Sequence, residues 1–448
     1  MAVPVETIFA LATPPGKSAI AVIRISGPQA CQACAVFAVA CPKPGQVSVA
    51  RLRDAEGGMI DQVVVLFSAA PHSSTGEDVV ELQCHGSKAV IAAILTQLSV
   101  IEGFRPAEPG EFTHRAFHND KLDLSGAEGL ADLIDAETSL QMTQAWNQLD
   151  GALREPVMQW RDSLIRLSGR LEALIDFADE ELPTTVEAEL RDETEGLVAA
   201  LQQELDDNRA GEIVRGGVAI ALLGPTNAGK STLLNMLAGR EAAIVSDEAG
   251  TTRDLVSVSL DMGGVAVTVT DTAGIRDDAG RVEQEGIRRA KQAVADADLT
   301  LMVLDGSDPD WHQDYRNLSA LIVGQALVLF NKQDRGFVSN TDKVTEASLA
   351  ISLKSGAGVE ALLNHIQTMV VPLNVASRTP LITRARHRNA FQQAVTGLTN
   401  GLAQDFHQSP EIAAEEFRVA ATALGRITGD IDVEELLGSI FSSFCIGK

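Results

Sequence analysis

The chain has 448 residues, 45% hydrophobic and 22% charged, a composition that fits a globular protein of about three domains and excludes a disordered one. Its 61 acidic side chains against 36 basic ones give a formal charge of −25, which excludes a general nucleic-acid coat or membrane-surface binder and leaves RNA contact to local basic patches. No apolar run approaches the ~18 residues of a membrane span, and Met1 to Glu6 lacks the basic flank of a signal peptide, so a soluble cytoplasmic protein without membrane attachment is expected.

Residues 1–118 mix short apolar runs with Gly and Pro, and Ser18 to Ile25 and Gln62 to Phe67 read as strands of a small α+β unit. Cys31-Gln32-Ala33-Cys34, with Cys41, sits on an Ala-rich helical stretch without a second C-x-x-C or a His pair, so packing is expected there and not a metal cluster. Five cysteines, an odd number, imply no disulfide framework. From 119 to 214 Gly and Pro thin out. Leu153, Val157, Trp160, Leu164, Leu167, Leu171 and Leu174 recur at steps of four and three, the seam of one long helix. Such a seam is either a coiled coil between chains or the inner face of a bundle, and its shortness favours the bundle. Between Asp176 and Asn208 stand twelve acidic residues and one basic, Arg191, which predicts a solvated face around a loop near Pro183. Residues 215–374 alternate strand-like and helix-like runs, and 375–448 return to helix. The simplest layout is a helical domain, 119–214 with 375–448, interrupted by an inserted α/β domain. The basic run Arg384, Arg386, His387 and Arg388 in the last segment is either an RNA contact or an ordinary exposed helix face.

The most specific local signal is Gly224-Pro225-Thr226-Asn227-Ala228-Gly229-Lys230-Ser231, between the apolar strand Val218 to Leu223 and the helical run Thr232 to Ala238. This G-x-x-x-x-G-K-[ST] spacing wraps backbone N–H groups around phosphates at a helix N-terminus, with Lys230 as a point charge and the Ser231 hydroxyl as a Mg2+ ligand. Asp271-Thr272-Ala273-Gly274 follows the strand Ala266 to Thr270, which brings a carboxylate beside the Mg2+ and an amide to the γ-phosphate. Asn331-Lys332-Gln333-Asp334 follows the strand Ala326 to Phe330, and the aspartate can accept two hydrogen bonds from guanine. Adenine would leave that carboxylate desolvated and unpaired, a discrimination of roughly 10⁴-fold or more. Ser352-Leu353-Lys354, after Leu349 to Ile351, completes the base pocket. These motifs specify GTP over ATP and imply a P-loop GTPase domain.

Many GTPases place Gln after D-x-x-G to orient the attacking water, but Ile275 stands here, so hydrolysis needs another group and another positive charge. Asn227 either ligates a monovalent cation such as K+ or merely braces the loop. The stretch Ser246-Asp247-Glu248-Ala249-Gly250-Thr251-Thr252 holds a second Mg2+ candidate, Thr252, and carbonyls that can complete a K+ shell.

With the GTPase core, Ala12-Thr13-Pro14-Pro15-Gly16, Arg24-Ile25-Ser26-Gly27, Thr75-Gly76-Glu77-Asp78, Gly110-Glu111-Phe112-Thr113, Asn119-Asp120-Lys121-Leu122-Asp123-Leu124 and the terminal Cys445-Ile446-Gly447-Lys448 make the whole chain resemble the MnmE (TrmE) family of tRNA modification GTPases. The resemblance implies an N-terminal α+β folate-binding and dimerisation domain (1–118), a central all-helical domain in two parts (119–214 and 375–448) and an inserted GTPase domain (215–374). It implies a homodimer that joins an FAD-dependent partner in a heterotetramer. Together they add an aminomethyl or carboxymethylaminomethyl group to carbon 5 of the wobble uridine of certain tRNAs. It further implies K+ ligation by Asn227, Ser246, Glu248 and Thr251, and Glu283 positioning the attacking water. Arg24, Glu81, Lys121 and Lys448 correspond to the site for 5-formyl- or methylene-tetrahydrofolate, and Cys445 to the functional cysteine beside it. Two positions depart from the family pattern: Thr226 separates Pro225 from Asn227, and Leu353 replaces the usual Ala. The competing readings are a ribosome-assembly GTPase switch that binds rRNA and a slow signalling switch.

Overall fold

The computed structural model describes residues 6–176, 184–207, 209–240, 242–244, 257–271, 291–336, 344–370, 380–406, 408–431, 434–442 and 444–447. The chain divides into two compact units: Met1–Ala131 with Gln148–Leu182 and Asn400–Lys448, and Asp132–Asn147 with Pro183–Thr399.

The first unit contains a six-stranded sheet of β1 (Thr7–Leu11), β2 (Ser18–Ser26), β3 (Val47–Arg53), β4 (Met59–Ser68), β5 (Val79–Gly86) and β6 (Phe104–Pro106), in the order β3-β4-β5-β2-β1-β6. Only β1 and β6 pair in parallel. Side chains alternate across a strand, so Ala21, Ile23 and Ile25 of β2, Val63, Val65 and Phe67 of β4, and Val80, Leu82 and Cys84 of β5 share one buried face. They pack there with Ile94 and Leu98 of the helix Lys88–Ser99. Each fully buried Ile or Leu contributes about 1.5–3 kcal/mol. The intervening residues, Arg24 and Glu81 among them, occupy the opposite face and are register partners.

The cysteines correct the expectation from sequence. Cys31 and Cys41 form a disulfide with their Cα atoms 5.6 Å apart. The helix Gln32–Val36 ends in a reversal at Ala38, in the left-handed region with φ 57°, which folds Cys41 back towards Cys31. An odd total does not prevent a single pair. Cys34 and Cys84 are free and buried, and burial pushes both thiols up to about 11.

The long helix Arg154–Asp176 packs against Pro410–Thr428 of the same chain. Leu153, Val157, Leu164, Leu167 and Leu171 of the seam are buried, as are Ala420, Leu424 and Ile427 of Pro410–Thr428. The seam is therefore covered from within the chain, while Trp160 is half-buried.

The second unit contains a seven-stranded sheet of β7 (Val218–Leu223), β8 (Ala243–Ile244), β9 (Ser257–Met262), β10 (Val265–Asp271), β11 (Leu299–Asp305), β12 (Gln325–Asn331) and β13 (Ala347–Ala350), in the order β13-β12-β11-β7-β10-β9-β8. The first five in this order are parallel and the β8-β9-β10 edge is antiparallel. Both faces of the parallel strands are covered, which is why β11 has six consecutive buried residues, apolar except for Thr300. The acidic helix Thr184–Leu205 also belongs to this unit, and no helix among the described residues is long and apolar enough to cross a membrane.

The basic run also reads differently in the structure. Arg384 donates to Asp132 at 2.7 Å, Arg388 donates to Asp207 at 2.6 Å and to the Leu205 carbonyl at 3.0 Å, and His387 is fully buried. These charges hold helices together in place of forming an exposed face, and the carboxylate of Asp207 shows that the acidic stretch is not solvated throughout.

Candidate functional site

At the carboxyl end of the parallel sheet, β7 runs into the loop that ends at Gly229 and opens the helix Lys230–Ala238. Gly229 is left-handed at φ 112°, and a Cβ there would run into the Asn331 side-chain amide, so both conformation and space require glycine. Asn227 is exposed and also left-handed at φ 65°, a region that Asn tolerates better than most residues. The first N–H groups of the helix have no intrahelical acceptor, which makes this end an anion site.

Lys230 is 5% exposed and donates from Nζ to the Gly224 carbonyl at 2.6 Å and the Pro225 carbonyl at 2.8 Å. Burial holds its pKa below the ordinary lysine value, with the Asp271 carboxylate pulling the other way. Asp271 ends β10, whose parallel pairing sets it against Leu222, and it accepts a hydrogen bond from Ser231 Oγ at 3.1 Å. Two hard oxygen donors this close suit Mg2+. Thr232 follows on the exposed first turn of the helix.

The base side is built from the ends of β11 and β12, which are in register at Asp305 and Asn331. Asn331 donates from Nδ2 to the Ala228 carbonyl at 2.8 Å and accepts from the Leu353 amide at 3.2 Å. Lys332, left-handed at φ 67°, places Nζ 2.6 Å from Asp305 Oδ2. Burial works against the Asp305 carboxylate, but hydrogen bonds from Lys332 and Ser307 outweigh it and hold the pKa below the usual range. Gln333 and Asp334 lie exposed on the short helical turn that follows. Ser352 Oγ donates to Asp334 Oδ1 at 2.7 Å, and this bond lowers the Asp334 pKa, with a further contribution from Lys354. Asp334 thus stays ionised and accessible as an acceptor for a base edge.

Ser246 to Thr252, Thr272 to Gly274, Ile275, Glu283 and Lys448 lie outside the described residues. Asp305 was missed from sequence, although a carboxylate at the end of an apolar strand beside the base motif was a usable signal.

In the first unit, Arg24 Nε donates to Glu81 Oε1 at 2.9 Å, with about a quarter of each side chain exposed (27% and 24%). The C-terminal tail reaches this pair: Ile446 bridges to Pro109, and the Gly447 carbonyl lies 3.5 Å from Arg24 Nη1. Cys445, one residue before the bridge, is a free, exposed thiol. A cation beside a carboxylate, next to this tail, suits a ligand with an acidic end and an amino-substituted ring, as folate has. Lys121 is exposed, and no hydrogen bond or ion pair among the described residues ties its side chain to Arg24 or Glu81.

In the same unit the N-terminal motifs interlock. Ser26 donates to Glu77 at 2.8 Å, and Arg115 bridges Glu77 at 2.9 Å and Glu111 at 3.0 Å. Arg105 grips both oxygens of Glu111 at 2.6 and 2.8 Å. Burial tends to raise the Glu111 pKa, but the two guanidinium groups hold it below the carboxylate range.

Two family models match the chain: the MnmE helical domain over residues 124–445 and the N-terminus of the GTP-binding protein TrmE over residues 7–121. The tRNA modification GTPase MnmE of Paramagnetospirillum magneticum is 47% identical over 99% of this chain and 100% of its own length. That of Parvibaculum lavamentivorans is 48% identical over the same shares of the two chains. The chain belongs to the MnmE family of tRNA modification GTPases.

As an MnmE-family GTPase it is an enzyme that binds GTP and GDP, with Mg2+ as the usual companion of the nucleotide, and acts in tRNA modification. The resemblance seen in the sequence is borne out over the full length, which sets aside the ribosome-assembly and signalling readings. Among solved structures, a tyrosine-to-alanine variant of Era of Aquifex aeolicus bound to GDP·AlF4− is 27% identical, covers 40% of this chain and 66% of its own, and has a TM-score of 0.28. That likeness is confined to part of the chain, so the assignment to MnmE rests on the full-length relatives.

Proposed function

We propose that the chain is a K+-stimulated GTP hydrolase that, with an FAD-dependent partner, adds an aminomethyl or carboxymethylaminomethyl group to carbon 5 of the wobble uridine of certain tRNAs. A tetrahydrofolate, 5-formyl or methylene, donates the carbon. The observation that carries the nucleotide half is the cluster of Lys230, Ser231 and Asp271, tied through Asn331 to the base-side loop of Asp334 and Ser352. Ser231 holds Mg2+ with Thr252, Asn227 holds K+ with Ser246, Glu248 and Thr251, and Glu283 positions the attacking water. A cation held against the β- and γ-phosphates supplies the charge that an arginine finger supplies elsewhere, an effect of ~10³-fold or more.

The folate half is supported by Arg24 and Glu81 lying together where the Cys445 tail docks. In this reading 1–118 is the folate-binding and dimerisation domain, 119–214 and 375–448 form the helical domain, and 215–374 is the GTPase domain. The apolar Val47 and Val49 of edge strand β3, 64% and 67% exposed, support pairing of two copies. Work on tRNA, shared with a second enzyme in a heterotetramer, belongs in the cytoplasm.

The deciding experiment is GTP turnover by the purified chain in KCl and in NaCl at equal ionic strength. Stimulation of tenfold or more, specific to K+, is expected. Equal rates in the two salts would refute the cation assignment while leaving the GTP site intact.

A further inference from the structure

Within the helix Glu111–His118, His114 and His118 stand one turn apart on one face. Their Nε2 atoms approach to 3.1 Å and their ring centroids to 4.3 Å. His114 is half-buried, its ring edge-on to Phe441 with centroids 5.0 Å apart, whereas His118 is exposed. The neighbouring carboxylate, Glu111, is already held by Arg105 and Arg115.

We propose that the two Nε2 atoms form a two-point chelate for a late first-row divalent cation, Ni2+ or Cu2+, with water completing the shell. Imidazole nitrogens bind such ions at about 2.0–2.1 Å. Two nitrogens 3.1 Å apart at that radius subtend about 95–102°, within reach of the right angle between neighbouring ligands of a square or octahedral ion and below the tetrahedral angle. Phe441 packs against the His114 ring, and the exposed ring of His118, which now shares a hydrogen bond with His114 and lies edge-on to Phe117, re-aims its lone pair at the ion by a turn that keeps the two Nε2 atoms about this far apart. Among the described residues no group of three or more His, Cys, Asp or Glu side chains surrounds a common point, so the ion is held by two protein ligands and exchanges with solvent. The same Phe441 belongs to the helix Glu434–Ser442 that leads to Cys445, so the ion would brace the surface against which that helix lies.

The alternative is a neutral histidine pair sharing a hydrogen bond and nothing more. The test uses the untagged full-length chain carrying Cys445→Ser, which removes the exposed thiol as a competing ligand, saturated with Mg2+ and GDP so that the nucleotide site takes no added metal. Calorimetric titration with Ni2+ is expected to show a site lost at least tenfold in affinity on His114→Gln or His118→Gln. The double variant should fall no further, because one histidine is not a chelate. With Cu2+, electron paramagnetic resonance should show two coupled nitrogens, reduced to one by His118→Gln. Should His114→Gln misfold by circular dichroism, His118→Gln at its exposed position decides alone. Unchanged Ni2+ affinity and an unchanged Cu2+ spectrum in His118→Gln would overturn the proposal.

Discussion

Asn331 donates to the carbonyl of Ala228 across 103 residues of sequence, joining the loop proposed to receive the base to the loop proposed to receive the phosphates. The same side chain accepts from the amide of Leu353, so one buried amide sets the spacing of three segments. Asn331→Ala leaves the Ala228 carbonyl and the Leu353 amide without this partner. Leaving a buried polar group unsatisfied costs about 1–3 kcal/mol. GTP and GDP affinity should both fall, by roughly 10- to 100-fold, because the bond touches neither the γ-phosphate nor the base. Fluorescence titration with labelled GTP and GDP checks this, and a loss confined to one nucleotide would contradict the bracing role.

Asp334 is exposed and ionised, and Ser352 holds one of its oxygens. Asp334→Asn replaces an acceptor by a group that presents a donor to the guanine N1–H and amine. The preference for GTP over ATP, expected at roughly 10⁴-fold or more, should shrink by at least an order of magnitude in competition binding. Ser352→Ala should produce a smaller change in the same direction, since it frees the carboxylate without removing it. Guanine preference that survives Asp334→Asn would mean that another residue reads the base.

The phosphate and base motifs were legible because each is a short run whose function depends on local backbone shape. The strand Val218–Leu223 and the glycine at 229 follow from apolar pattern and loop geometry alone. The seam from Leu153 to Leu171 was legible as a helix face but not as to its partner, because Pro410–Thr428 lies far along the chain. Arg384 and Arg388 misled for a related reason: a basic run looks exposed until Asp132 and Asp207 arrive from distant segments. The Cys31–Cys41 bond was missed because cysteine parity constrains the total, whereas the left-handed turn at Ala38 that closes the segment has no strong sequence signal. Arg24 and Glu81 were named through resemblance, with an ordinary strand-surface pair as the plain alternative, and the register of β2 with β5 shows that they do lie opposite each other.

Glu111 gives the N-terminal unit a defined acid response. Its pKa is lowered in the folded protein by Arg105 and Arg115 against the opposing effect of burial. A depressed carboxylate contributes stability that is fully present above the unfolded value, near ~4.3, and is lost as pH falls through the lower folded value. Glu111→Gln should therefore destabilise the unit by roughly 1–3 kcal/mol at pH 7, with the difference from the parent narrowing steadily below about pH 4. Denaturant unfolding at pH 7 and at successive acidic pH values measures the gap. A gap constant across that range would show that packing of the side chain, and not its charge, is responsible.

The tail that carries Cys445 is placed by its backbone, which separates position from chemistry. Ile446 bridges to Pro109, the Gly447 carbonyl faces Arg24, and Gly447 is left-handed at φ 95° with the Leu11 carbonyl where a Cβ would stand. The thiol is free and exposed and takes no part in this docking. Cys445→Ser should therefore leave the tail in place and GTP hydrolysis within about twofold of the parent, while tRNA modification, followed by nucleoside mass spectrometry, is abolished. Gly447→Ala makes the complementary change, keeping the thiol but displacing the tail from Leu11, and should lower modification and folate affinity together. If Cys445→Ser lowered hydrolysis as far as modification, the thiol would be a structural part of the tail. If Gly447→Ala left both modification and folate binding intact, the docking seen at Arg24 would be irrelevant to the proposed one-carbon step.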